Sequence, residues 1–179
     1  EVELYAVNEA GREPWTGVDA DRAEQACTGA DLAALYDSSD TLVPSKRLCR
    51  TFQFQQGCGG PANTAEQTDY PYGDEFQSGT CVDASRELEG PALTGSAPEC
   101  CRVVNETGNP DDANTTCDMV GNVAEWVIGP TVQIAGGSYQ DDDEDILSCG
   151  DGISYQSPPD VDSFDEIDSI GFRCCTPPN

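Results

Sequence analysis

The segment Asp118–Trp126 (Asp-Met-Val-Gly-Asn-Val-Ala-Glu-Trp) holds the residues of this chain that are best suited to chemistry. It combines two carboxylates, an amide, a glycine and a tryptophan over a short distance. This mixture suits neither a single helix nor a plain strand. It predicts a loop in which carboxylates and backbone carbonyls converge, followed by entry into a strand. Hard oxygen donors gathered by one turn are typical of sites for a hard cation such as Ca²⁺.

The charge of the chain excludes several classes of function. Its 179 residues include 34 acidic and 8 basic side chains and no histidine, for a net charge of -26. The lack of histidine excludes a histidine metal ligand, proton shuttle or catalytic triad. An acidic surface repels nucleic acid and anionic membranes, and no apolar run approaches the ~20 residues of a membrane span. The sequence therefore predicts no nucleic-acid partner and no membrane insertion, and it favours cationic partners.

Ten cysteines predict a protein stapled by disulfides. Their number is even, and neither a paired CxxC pattern nor a histidine is present to complete a zinc site. We expect up to five disulfides in an oxidising compartment, which means a secreted, cell-surface or periplasmic protein. The alternative is a set of free buried thiols in a cytosolic protein. The sequence leaves the connectivity open.

The pattern of the chain predicts one α+β domain over residues 1–179, with much loop. Thr16 at the N-cap and Asp19 at N3 match a capping box, which predicts a helix over residues 17–28. Further apolar patterns predict a second helix and several short strands. The second helix is expected at 48–58 and the strands at 2–7, 123–128, 131–135 and 170–175.

Several short motifs, taken in order, resemble the formylglycine-generating enzyme (sulfatase-modifying factor) family. The similarity spans roughly residues 14–175. It implies a C-type-lectin-like fold with two short helices and a small twisted antiparallel sheet. The motifs are Pro14-Trp15-Thr16, Arg47-Leu48-Cys49, Tyr70-Pro71-Tyr72-Gly73-Asp74, the segment Asp118–Trp126, Gly136-Gly137-Ser138-Tyr139 and Gly171-Phe172-Arg173-Cys174.

The resemblance also implies a structural calcium site in the segment Asp118–Trp126. Its ligands would be the Asp118 side chain, the backbone oxygens of Gly121 and Val123, and the Glu125 carboxylate. A bound Ca²⁺ would relieve the repulsion between the two carboxylates. The family's other calcium site would lie near Cys81-Val82-Asp83, where its usual asparagine is not evident.

Copper chemistry in this family uses two cysteines, four residues apart, just after the Gly-Gly-Ser motif. Thiolates are the ligands that suit Cu(I). Here that motif is followed by Gln140 and the acidic run Asp141–Asp145, and the next thiol is Cys149, without a second cysteine nearby. We therefore expect no copper centre and no oxidase activity.

The sequence thus predicts a secreted or surface binding or structural module. Its loops between residues 136 and 170 would engage an extracellular protein or glycan, including a cationic one. One alternative is a copper-dependent formylglycine-generating oxidase that acts on a cysteine of a substrate protein. Another is a self-assembling subunit of an extracellular assembly. The acidic stretches 141–145 and 160–168 also fit a plain solvated surface.

Overall fold

The computed structural model describes residues 10–34, 46–104, 114–149 and 167–176. The expected strand at 2–7 and most of the acidic stretch 160–168 lie outside these residues. The described part confirms the α+β class with two helices, small antiparallel sheets and abundant loop. Its elements are α1 (Ala20–Ala34), β1 (Arg47–Leu48), α2 (Thr51–Gly59), β2 (Arg102–Val104), β3 (Asn114–Thr116), β4 (Ala124–Ile128), β5 (Val132–Ala135), β6 (Ile170–Phe172) and β7 (Cys174–Cys175).

Both helices begin later than the sequence predicts. Helix α1 starts at Ala20, because the Asp19 side chain accepts a hydrogen bond from the Arg22 N–H at 2.7 Å and caps the helix itself. The prediction of Thr16 at the N-cap and Asp19 at N3 is therefore wrong. Helix α2 starts after Arg50, since the preceding residues pair in β1. Among the described residues, no helix is both long enough and apolar enough to cross a membrane.

The strands form three small sheets. β1 pairs with β7 and β2 with β3, both antiparallel. β4 lies between β5 and β6, antiparallel to the former and parallel to the latter. The prediction of a purely antiparallel sheet is therefore wrong for one pair, β4 with β6. A long connection precedes β6, and parallel pairing requires a connection of this kind. This register places Glu125 opposite Gly171 and Ala135.

The core consists of two clusters that share β4. Val127 packs with Phe54 and Leu147 in one cluster, whereas Trp126 packs with Leu48 in the other. Neighbouring residues of a strand point to opposite faces, so β4 contributes to both. The Trp126 indole N–H also donates to the Val18 carbonyl at 2.8 Å, which fixes β4 against the approach to α1.

Every cysteine of the chain is in a disulfide, so the predicted number of five is confirmed. Cys174 in β7 pairs with Cys27 in α1, and Cys175 pairs with Cys49, so two adjacent bridges hold β7. The remaining bridges are Cys58–Cys149, Cys81–Cys100 and Cys101–Cys117. This content is compatible with an oxidising extracellular or periplasmic compartment.

Candidate functional site

The predicted loop and following strand are present at residues 118–128. Asp118, Gly121 and Asn122 all have left-handed backbone, with φ of 55°, 70° and 61°. A Cβ on Gly121 would lie 2.3 Å from the Val82 carbonyl oxygen, so only glycine allows this approach. Aspartate and asparagine tolerate left-handed backbone better than most residues do. The residue types therefore explain how this loop turns so tightly.

Asn122 joins three other loops to this turn. Its backbone N–H donates to the Val82 carbonyl at 2.7 Å. Its side-chain amide accepts from the Ala92 N–H at 2.8 Å and donates to the Ala92 carbonyl at 3.2 Å. Its carbonyl accepts from the Tyr139 N–H at 2.9 Å. Asn122 is only 1% exposed, so these bonds form away from water and hold the loops in fixed positions.

Glu125 and Arg173 form a bidentate ion pair beside the turn. The Arg173 Nε donates to both carboxylate oxygens at 3.1 and 3.2 Å, and Nη2 donates to Oε1 at 2.8 Å. Nη2 also donates to the Cys117 carbonyl at 2.9 Å. The Glu125 side chain is 5% exposed and the Arg173 side chain is 24% exposed. Burial raises the pKa of Glu125, and the guanidinium opposes that rise.

Asp118 is a second buried carboxylate near the same guanidinium. Its Oδ2 accepts from the Gly95 N–H at 2.6 Å. Burial raises the pKa of Asp118, while the hydrogen bond from Gly95 and the charge of Arg173 lower it. Its negative charge in turn contributes to the raised pKa of Glu125. Arg173 is thus the shared counter-charge of two carboxylates.

Both carboxylates of the expected calcium site interact electrostatically with Arg173, and Gly121 and Val123 lie in the loop between them. Both oxygens of Glu125 face Arg173, so a calcium ion that used Glu125 would compete with the guanidinium. In the described ranges, no group of three or more acidic or cysteine side chains converges in a way that could hold a metal ion. Arg173 belongs to a motif noted in the sequence, but its role as counter-charge was not predicted.

At the second expected calcium position, Asp83 is 2% exposed and caps a short 3₁₀ helix. One carboxylate oxygen accepts from the Gly79 N–H at 2.7 Å and the other from the Ser85 N–H at 3.0 Å. The carboxylate is therefore satisfied by its own loop. The N–H of Ala84 donates to the Asp141 carbonyl at 3.0 Å, which ties this loop to the acidic run.

The segment 136–149 contains the expected copper position and has a fixed backbone. The Asp141 carboxylate accepts from the Ser138 N–H at 2.7 Å and from its hydroxyl at 2.8 Å. At the other end, the Cys149 N–H donates to the Asp69 carbonyl at 2.6 Å, and its sulfur is bonded to Cys58. Between these anchors, the four acidic side chains of residues 142–145 are exposed.

No family model and no curated protein matches this chain.

Proposed function

We propose that this protein is a disulfide-stabilised binding or structural module of the formylglycine-generating enzyme type, with a C-type-lectin-like fold. It acts in an oxidising compartment, secreted or at a cell surface, and is not an oxidase. The observation that carries the proposal is the pairing of Cys149 with Cys58, together with the pairing of the other eight cysteines. Because that copper chemistry uses two cysteine thiolates, a chain whose cysteines are all in disulfides lacks the ligands of that reaction.

The binding surface in this proposal is the exposed acidic segment 142–145. Its backbone is held at both ends, by the Ser138–Asp141 hydrogen bonds and by the Cys58–Cys149 bridge. A segment that is already ordered loses little conformational entropy when a partner binds. Four neighbouring carboxylates favour a partner with positive charge. The ligand class is therefore a basic segment of an extracellular protein.

Neutralising this segment tests the proposal. We expect the variant Asp142→Asn, Asp143→Asn, Glu144→Gln and Asp145→Asn to bind an arginine-rich peptide at least about tenfold more weakly than wild type at ~0.15 M salt. The matched control removes four exposed carboxylates elsewhere, by Asp74→Asn, Glu75→Gln, Glu87→Gln and Glu89→Gln. Calorimetry would measure both affinities. Equal losses in the two variants would show that only net charge matters and would reject the surface.

Calcium binding by Asp118, Gly121, Val123 and Glu125 is the second part of the proposal. It is supported by two buried carboxylates close enough for Asp118 to raise the pKa of Glu125, which a divalent cation would relieve. Arg173 already supplies one positive charge there. A calcium ion at this site therefore either adds its charge to that of Arg173 or displaces the guanidinium from Glu125.

A melting experiment with and without chelator tests the calcium site. Saturating calcium at about 100 times its dissociation constant would contribute about 2.7 kcal/mol, so we expect chelation to lower the Tm by about 5–10 °C. The variant Glu125→Gln should lose most of this difference, whereas Glu89→Gln, on an exposed residue, should keep it. If wild-type protein melts at the same temperature with and without chelator, Arg173 is the counter-charge and the calcium site is rejected.

A further inference from the structure

A cleft of about 450 Å³ lies apart from the Asp118 loop and the acidic segment. It is bounded by the start of α1, by β1 and β7, by the start of α2 and by the turn between β4 and β5. This volume falls within the ~300–1,000 Å³ range of small-molecule sites. Side chains that define its chemistry are Asp21, Glu24, Arg47, Arg50, Ile128 and Val132.

Two of the protein's eight basic residues line this cleft. Two other arginines serve the fold: Arg86 donates to the Gly79 carbonyl at 2.8 Å and Arg102 to the Thr68 hydroxyl at 2.8 Å. By contrast, the guanidinium groups of Arg47 and Arg50 make no hydrogen bond or ion pair with any residue in the described part of the chain. Arg50 is bonded through its backbone, whose N–H donates to the Gln53 side chain at 3.0 Å. In a protein of net charge -26, two exposed guanidinium groups that line one cleft without such a structural role indicate a site for an anion.

The rest of the lining limits the kind of anion. Ile128 and Val132 supply an apolar surface, and Val132 is 37% exposed. On the α1 side, Glu24 accepts from the Leu48 N–H at 2.7 Å, and Asp21 is exposed. Two guanidinium groups and two carboxylates give the lining a formal charge near zero. This balance disfavours a phosphate dianion and favours a single negative charge carried on an apolar body.

We propose that this cleft binds a carboxylate attached to an apolar group. A planar guanidinium matches a carboxylate through two parallel hydrogen bonds, and the apolar wall contacts the body of the ligand. The same chemistry is offered by a free organic acid and by the C-terminus of a peptide that ends in an apolar residue. This inference does not depend on the acidic segment or on calcium.

Calorimetric titration with two matched pairs of probes tests the proposal. The first pair is N-acetyl-phenylalanine and its amide, and the second is a pentapeptide ending in phenylalanine with a free or amidated C-terminus. We expect saturable binding of the acids and at least about tenfold weaker binding of the amides. Tighter binding of the peptide acid would identify a chain terminus as the ligand, whereas tighter binding of the small acid would identify a free organic acid.

The arginines are tested by the double variant Arg47→Gln and Arg50→Gln. We expect it to bind the preferred acid at least about tenfold more weakly, while the control Arg22→Gln, an exposed arginine of α1 outside the lining, stays within about twofold of wild type. An unchanged Tm would show that the double variant is folded. If the double variant is not folded, the single variants Arg47→Gln and Arg50→Gln are measured in its place. The proposal is overturned if no acid binds saturably, if the amides bind as tightly as the acids, or if phenyl phosphate binds more tightly than the acids. It is also overturned if Arg22→Gln loses as much affinity as the cleft variants.

Discussion

Replacement of Arg173 by methionine is expected to lower the free energy of unfolding by about 3–5 kcal/mol. The substitution leaves the buried Glu125 carboxylate without its counter-charge inside the protein. It also removes a donor from the Cys117 carbonyl and the positive charge that lowers the pKa of Asp118. Because Arg173 itself is 24% exposed, the loss should fall in the lower part of that range. Urea unfolding in the presence of chelator would measure it.

A second substitution separates loss of the pair from loss of packing. Adding Glu125→Gln to Arg173→Met removes the unpaired charge, so we expect the double variant to be more stable than Arg173→Met alone. The control Arg22→Met replaces an exposed arginine and should change stability by less than about 0.5 kcal/mol. A loss below about 1 kcal/mol for Arg173→Met would mean that the Glu125 carboxylate is not held by this pair.

Removal of both bridges to β7 should destabilise the protein by about 7 kcal/mol, close to the whole stability of many domains. Cys27–Cys174 and Cys49–Cys175 each span more than a hundred residues in sequence, with separations of 147 and 126. Each nevertheless closes a much shorter effective loop while the other bridges remain. We therefore expect removal of one bridge to lower the free energy of unfolding by only about 3–4 kcal/mol. The two single-bridge variants are Cys27→Ser with Cys174→Ser, and Cys49→Ser with Cys175→Ser.

Thermal or urea unfolding of the two single-bridge variants and the double-bridge variant would test these losses. The double-bridge variant should unfold far below either single variant, because only then is the strand after β6 released from α1 and from the start of α2. If the double-bridge variant melts like either single one, the two bridges do not both restrain β7, and this view of the fold is wrong.

Local patterns predicted much of the fold. Gly121 and Asn122 predicted a tight turn, and the following apolar residues predicted β4, since both depend on neighbouring residues alone. The number of bridges followed from the even count of cysteines. The start of α1 was misplaced because Thr16 and Asp19 both suit a cap, and only the observed bond from Arg22 to Asp19 distinguishes them.

The parts that escaped prediction depend on contacts between distant residues. Glu125 and Arg173 are separated by 48 positions, and nothing near either residue signals the other. The parallel pairing of β6 with β4 also depends on residues that are far apart in the sequence. The same holds for the connectivity of the cysteines. Arg47 and Arg50 lie three positions apart in the sequence, but the cleft that they line forms only where β1, β4 and β5 meet. Long-range partners of this kind cannot be obtained from periodicity.

We propose that the 136–149 segment serves recognition and not redox chemistry, because every cysteine sulfur is held in a structural bridge. Peptide mapping under non-reducing conditions, with thiol titration of the denatured protein and copper analysis, tests it most directly. We expect no reactive thiol, no bound copper and the bridges 27–174, 49–175, 58–149, 81–100 and 101–117. A reduced Cys149, or copper bound at that sulfur, would contradict it.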